Sequence, residues 1–151
     1  MKVAIAADHA GFEYKEALVK ELKGAGYELL DLGTPLPEPG DDYPDYAAAV
    51  ANALINKQAE RGILICGSAV GVSIAANKFK GIRAGVCHDS YSAHQSVEHD
   101  NVNILCIGQR VIGINLAVEI ALIFLNAEYS GLPRHQRRLE KIATIENKNM
   151  K

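Results

Sequence analysis

Cys66, Gly67 and Ser68 stand where an apolar run, Ile63-Leu64-Ile65, breaks into a glycine-bearing stretch that resumes with helical spacing through Ile74, Ala75 and Ala76. A cysteine at the tip of a buried strand, beside the start of a helix, is in a setting that favours the thiolate, which is both base and nucleophile. Gly67 and Gly71 allow a tight turn and a close backbone approach to a ligand, and Ser68 is placed to cap the helix. Strand, turn and helix start bring unpaired N–H groups to one spot, which suits an anion. The same residues also serve an ordinary strand-to-helix connection, and the turn alone leaves both uses open.

Other short clusters carry groups of the same kind. Asp8-His9 follows an apolar run over 3–7, His88-Asp89 one over 82–87, and Gly108-Gln109-Arg110 one over 103–107. A polar cluster, Glu98-His99-Asp100-Asn101, precedes the last of these runs. Short, largely apolar runs of this length read as strands buried on both faces of a parallel sheet.

The segments between the runs have the pattern of helices. Phe12, Leu18, Val19 and Leu22 form a stripe that Gly24 to Gly26 stops, and a second strand is expected over 27–32. After a loop rich in Pro, Gly and Asp at 34–44, Asp45 is expected to cap an alanine-rich helix to about 56. The helix after Cys66 is expected to end near 79–81, a short one to cover 91–97, and an apolar one 114–126. A last helix over 134–147 carries Arg134 and Arg138 one turn apart on one face. Five alternations of strand and helix specify a single-domain α/β/α sandwich: a five-stranded, parallel, doubly wound (Rossmann-like) sheet with an extra C-terminal helix.

In such a sheet all strands point one way and ligands bind beyond their carboxyl ends. The rule collects Asp8, His9, Cys66, Gly67, Ser68, His88, Asp89 and Arg110. His99 and Asp100 precede their strand, and join only by curling over the sheet's edge or across a subunit boundary.

With 151 residues, 23% charged, and no apolar run of membrane-spanning length, the chain reads as one globular domain off the membrane. Three cysteines without close pairing point to a reducing compartment, the cytoplasm. The net charge of −2 is uneven: residues 1–133 hold 10 basic and 16 acidic residues, whereas 134–151 hold 6 basic and 2 acidic. That tail fits a negative partner, either a phosphorylated small molecule or the acidic body of another subunit. The absence of a broad basic surface with interleaved aromatics argues against nucleic acid. Cys66, Cys87, Cys106 and His88 lack the spacing of a zinc site, and neither a P-loop nor a dinucleotide fingerprint is present. Each remaining candidate also has a bland use: Cys66 as a buried hydrophobe, Asp8 as a cap, the histidines on the surface, and the arginines as a solvated face.

The motifs AADHAGFEYK, DYPDYA, ILICGSAVGVSIAANKFKGIRA, SVEHDNVNILCIGQRVIG and RHQRRLEKI, in this order and spacing, resemble the type B ribose-5-phosphate isomerases, a family shared with galactose-6-phosphate isomerase subunits. The resemblance covers nearly the whole chain. It implies metal-free and cofactor-free interconversion of an aldose phosphate and a ketose phosphate through a cis-enediolate. Cys66 matches the base that moves the proton between C1 and C2, and Ser68 the hydroxyl that shifts protons between the sugar oxygens. The family's other branch carries a glutamate where this chain has Val72. His99 with Asp8 matches the pair that opens the furanose ring. His9, Arg110, Arg134 and Arg138 match the phosphate ligands, the last two reaching from the partner of a homodimer that is open to further pairing into a tetramer. Gly67, Ala69 and Gly71 belong to the loop whose amides face the substrate.

Two positions depart from the family: Ala69 replaces a usual glycine, and Asp100 an asparagine that donates to the enediolate. The neighbouring readings are a galactose- or allose-6-phosphate isomerase, with a longer pocket, and a catalytically silent sugar-phosphate-binding module.

Overall fold

The computed structural model describes residues 1–150. In chain order the elements are β1 (Lys2–Ala7), α1 (Phe12–Gly24), β2 (Glu28–Asp31), α2 (Tyr43–Ile55), β3 (Arg61–Cys66), α3 (Val70–Ala76), β4 (Ala84–Val86), α4 (Ser90–Asp100), β5 (Ile104–Gly108), α5 (Ile114–Asn126) and α6 (Pro133–Asn149). The strands form one parallel sheet in the order β2-β1-β3-β5-β4. This is the α/β architecture with a C-terminal helix that the alternation of runs specifies.

Alternating side chains along the central strands divide the core in two. Val3, Ile5, Ile63, Ile65, Leu105 and Ile107 pack under α1, α4 and α5. Ala4, Ala6, Leu64, Cys66, Ile104 and Cys106 pack under α2 and α3, where small residues let the helices come close. At Gly62 that approach is tight enough that an added Cβ would lie 2.5 Å from Val50 Cγ1. Strands are added outward in opposite directions from β1 and β3, all of them parallel, so the crevice of a doubly wound fold opens at the tips of these two strands. Register sets Cys66, the last residue of β3, beside Gly108 of β5. Helix α6 lies outside both cores, with His135 its one buried residue. Among the described residues no helix is long and apolar enough to cross a membrane.

Several local expectations are corrected. Helix α2 starts at Tyr43-Pro44, with Asp42 at the cap position and Asp45 inside the first turn, because proline's fixed φ and missing N–H suit that turn. Helix α3 ends at Ala76. The Asn77 side chain exchanges two hydrogen bonds with the Ala84 backbone, 2.8 and 3.0 Å, drawing the chain off the helix toward β4. Helix α4 continues to Asp100 and closes on Asn101 in the left-handed region, φ 48°, so Glu98, His99 and Asp100 are its last turn rather than a loop.

The turn after β3 also differs from expectation. Gly67 and Gly71 do not have positive φ; Ala69 does, at 72°, and it is the cap residue of α3. Ser68 lies one position earlier, its Oγ accepting the Val70 N–H at 3.3 Å. A left-handed alanine costs about 1–2 kcal/mol. Glycine would relieve this but would lose about 0.8 kcal/mol of buried methyl and about 0.5–1 kcal/mol of backbone entropy. The terms nearly cancel, so Ala69→Gly is expected to move the unfolding free energy by less than about 1 kcal/mol in urea titrations. A gain well above that would mean alanine strains the loop without compensation.

Candidate active site

The tips of β1, β3 and β5 surround a cavity of about 370 Å³ lined by Asp8, His9, Cys66, Gly67, Ser68, Gly71 and Arg110, together with Ala10, Tyr43 and Val111. Seven of the residues singled out in the sequence thus meet at one spot. Cys66 is 5% exposed, and its Sγ accepts the Ala69 N–H at 3.0 Å. The tight turn after β3 brings that amide back onto the sulfur, where negative charge resides in a thiolate. Gly67 and Gly71 are needed for close approach rather than for turning. A Cβ at Gly71 would lie 2.6 Å from the Tyr43 ring, and one at Gly67 would lie 3.2 Å from an Arg110 guanidinium nitrogen. Tyr43 was missed in the sequence; the Gly71 position was a signal for a bulky neighbour, but not for which one.

The charges around the cavity are individually held. Asp8 is buried, and burial pushes its carboxyl above the usual range, against the Ala10 amide at 3.0 Å and the nearby His9. Asp41, also missed, reaches in from the 34–42 loop: its Oδ1 lies 2.6 Å from His9 Nδ1 and accepts the His9 amide at 3.1 Å, and its Oδ2 accepts the Tyr46 hydroxyl at 2.9 Å. Asp8, His9 and Asp41 bring their ligand atoms within 4.8 Å of one another, but His9 and Asp41 are bonded to each other.

The raised Asp8 carboxyl has a consequence for stability. In the unfolded chain it ionises near its ordinary 3.8, whereas the folded chain keeps the proton to higher pH. Folding therefore weakens as pH rises through that window, and the deficit is constant above it. Asp8→Asn keeps an oxygen for the Ala10 amide and cannot ionise. Its Tm is expected to match wild type in acid below the window and to exceed it at pH 7. A constant offset at every pH would remove the ionisation from the explanation.

His88 and Asp89, collected at the same sheet end by the strand rule, are structural. His88 Nε2 accepts the Gly108 N–H at 2.9 Å, and burial holds the ring below its ordinary value, keeping that nitrogen an acceptor. Asp89 caps α4 by accepting the Ser92 N–H at 2.7 Å. Cys87 and Cys106 are buried hydrophobes, both thiols pushed up by burial.

His99, Asp100, Arg134 and Arg138 do not line the cavity of their own chain. Helix α4 runs from the tip of edge strand β4 back toward the start of β5, so its last turn lies at the opposite end of the sheet from Cys66. There the His99 ring stacks on His135, centroids 4.1 Å apart, and its Nδ1 meets Gln95 Nε2 at 3.1 Å. The same amide lies 3.5 Å from Asp100 Oδ2. His135 is buried against Ser130 Oγ at 2.7 Å, and burial, then His99, Arg134 and Arg138, hold its ring below the ordinary value. Arg134 and Arg138 are exposed, with no carboxylate within 4 Å among the described residues. The chain thus carries two separate groups, one with a thiol and one with two histidines and two free guanidinium groups.

The model of the family described as Ribose/Galactose Isomerase matches residues 3–142. Ribose-5-phosphate isomerase B of Escherichia coli is 48% identical over 147 residues, 97% of either chain. D-erythrulose-4-phosphate isomerase 2 of Mycolicibacterium smegmatis is 39% identical over 148 residues, also 97% of either chain. The structure of Clostridium thermocellum ribose-5-phosphate isomerase B superposes with a TM-score of 0.94 at 47% identity, covering 98% of this chain and 99% of that one. The chain belongs to the ribose/galactose isomerase family and is an aldose–ketose sugar-phosphate isomerase.

Proposed function

We propose that the protein interconverts ribose 5-phosphate and ribulose 5-phosphate through a cis-enediolate, with Cys66 as the base, in a homodimer whose two sites are each built from both chains. The observation that carries the reading is Cys66, aimed by the Ala69 amide into a cavity shared with Asp8, His9, Ser68 and Arg110. The separation of this group from His99, Asp100, Arg134 and Arg138 supports the shared site, since a symmetric dimer can bring one end of each sheet to the other end of its partner's.

In this mechanism His9 and Arg110, with Arg134 and Arg138 of the partner subunit, grip the phosphate, and the remote binding energy orients the reacting carbons. Asp8 and His99 of the partner subunit open the furanose. One accepts the proton of the anomeric hydroxyl while the other donates to the ring oxygen, and burial, which raises the Asp8 carboxyl, makes it a stronger base than an ordinary carboxylate. The Cys66 thiolate then takes the C2 proton of the open aldose. The C2–H electron pair becomes the C1–C2 double bond, and the carbonyl oxygen O1 takes the negative charge. Ser68 relays a proton from O2 to O1, and the Cys66 thiol returns its proton to C1, leaving the ketose. The Ser68 hydroxyl and the amides of Gly67 and Gly71 are donors for the charged oxygen.

The relative named as acting on a four-carbon phosphate makes chain length the open variable. Turnover measured across four-, five- and six-carbon aldose phosphates tests the reading: the highest kcat/KM is expected for ribose 5-phosphate. Turnover of none would favour a sugar-phosphate-binding module.

Asp100 gives a further test. An ionised carboxylate can only accept, whereas asparagine can donate to the enediolate oxygen. Asp100→Asn is expected to raise kcat by about tenfold, the worth of one good hydrogen bond. Superimposable pH–rate curves for the two proteins would show that this side chain does not touch the intermediate.

A further inference from the structure

The 34–42 loop holds an interaction that local sequence does not announce. Asp41 lies 32 residues from His9, and its side chain is 10% exposed against 40% for His9. Every polar contact it makes is donated to it: Oδ1 receives the His9 amide and faces His9 Nδ1, and Oδ2 receives the Tyr46 hydroxyl. Burial opposes its charge, but the His9 ring, the His9 amide and Tyr46 together hold its carboxyl below the ordinary range. Tyr46, pushed up to about 12 by burial and by Asp41, remains a donor. The loop is also fixed at its base, where the buried Lys15 ammonium bonds Asp31 and the Thr34 carbonyl at 3.0–3.2 Å.

We infer that Asp41 is a positioning residue that fixes the orientation of His9 and keeps its Nδ1 protonated, so that Nε2 faces the phosphate and the charged ring grips it. An ionised carboxylate accepts only, so the ring nitrogen facing it, Nδ1, must carry the proton. Nε2 is then the nitrogen left for the cavity, and it donates to a phosphate oxygen only when the ring is an imidazolium, held between two anions. The other charged groups around that ring are Asp8 from the turn after β1 and Arg110 from the chain after β5, which share its cavity. This inference rests on the assignment of His9 to the phosphate, so its test separates the two.

Two measurements do so. Nitrogen-15 shifts of the neutral His9 ring should report a protonated Nδ1 in wild type and a shift toward protonated Nε2 in Asp41→Ala, which leaves no acceptor beside Nδ1. In kinetics, Asp41→Ala should raise KM for the sugar phosphate by about tenfold with kcat within about twofold, the pattern of lost uniform binding. In a His9→Ala background the same substitution should add nothing, because Asp41 acts through that ring. An equal KM rise in both backgrounds would make Asp41 a general support for the loop and overturn the inference, as would unchanged ring shifts. If His9→Ala alone left KM unchanged, the phosphate assignment would fail, and the inferred grip with it; the nitrogen shifts would still decide whether Asp41 sets the tautomer.

Discussion

Cys66→Ala is expected to lower kcat by about 10²–10⁴, the range of a positioned general base, while leaving the binding of ribose 5-phosphate close to wild type. The base acts on the C–H bond in the chemical step and makes no contact that the phosphate requires. Neither other cysteine can take over. Cys87 packs with the residues under α4 and α5, and Cys106 is fully buried in the sheet. Burial pushes both of their thiols up, further for Cys106. Alkylation at neutral pH should therefore modify Cys66 first and inactivate the enzyme, and bound substrate should protect it. Steady-state kinetics check the variant: turnover within tenfold of wild type would remove Cys66 from the chemistry.

Arg134→Ala and Arg138→Ala should each weaken substrate binding by about 1.5–3 kcal/mol, the worth of a charge-assisted hydrogen bond, or roughly 10- to 100-fold in KM. The two residues lie one turn apart on α6, exposed and without carboxylate partners, so their removal breaks no ion pair within the chain and relieves the repulsion they exert on a charged His135. Alanine is the better helix former, and stability should be unchanged or slightly higher. The combination of raised KM with unaltered Tm distinguishes a ligand contact from a structural one. Unchanged KM in both variants would leave the arginines as a solvated face.

What was legible in the sequence followed from local pattern. The apolar helix over 114–126 was bounded correctly because its stripe runs from Gly113 to a polar end at Asn126. The rule that ligands gather beyond parallel strand tips brought Asp8, Cys66 and Arg110 together from three distant stretches. The same rule misplaced His88, because a histidine at a strand tip looks alike whether it faces a ligand or accepts a backbone N–H from the next strand. Helix α4 read too short because Glu98 to Asp100 are polar without being breakers; its stop is the left-handed Asn101. Ala69 was legible only as a departure from a family habit, since positive φ at alanine has no signature of its own. The pairing of His9 with Asp41 depends on how a long loop folds back, which no periodicity encodes.

The central claim, that each site joins Cys66 of one chain to the arginines of another, is tested most directly by mixing two inactive variants. One chain carries Cys66→Ala and the other carries Arg134→Ala with Arg138→Ala. In a two-fold dimer the hybrid has one site with both defects and one with neither, so statistical re-pairing should restore about a quarter of wild-type activity on ribose 5-phosphate. Verified heterodimers that show no recovery would contradict the account, and each site would then belong to a single chain.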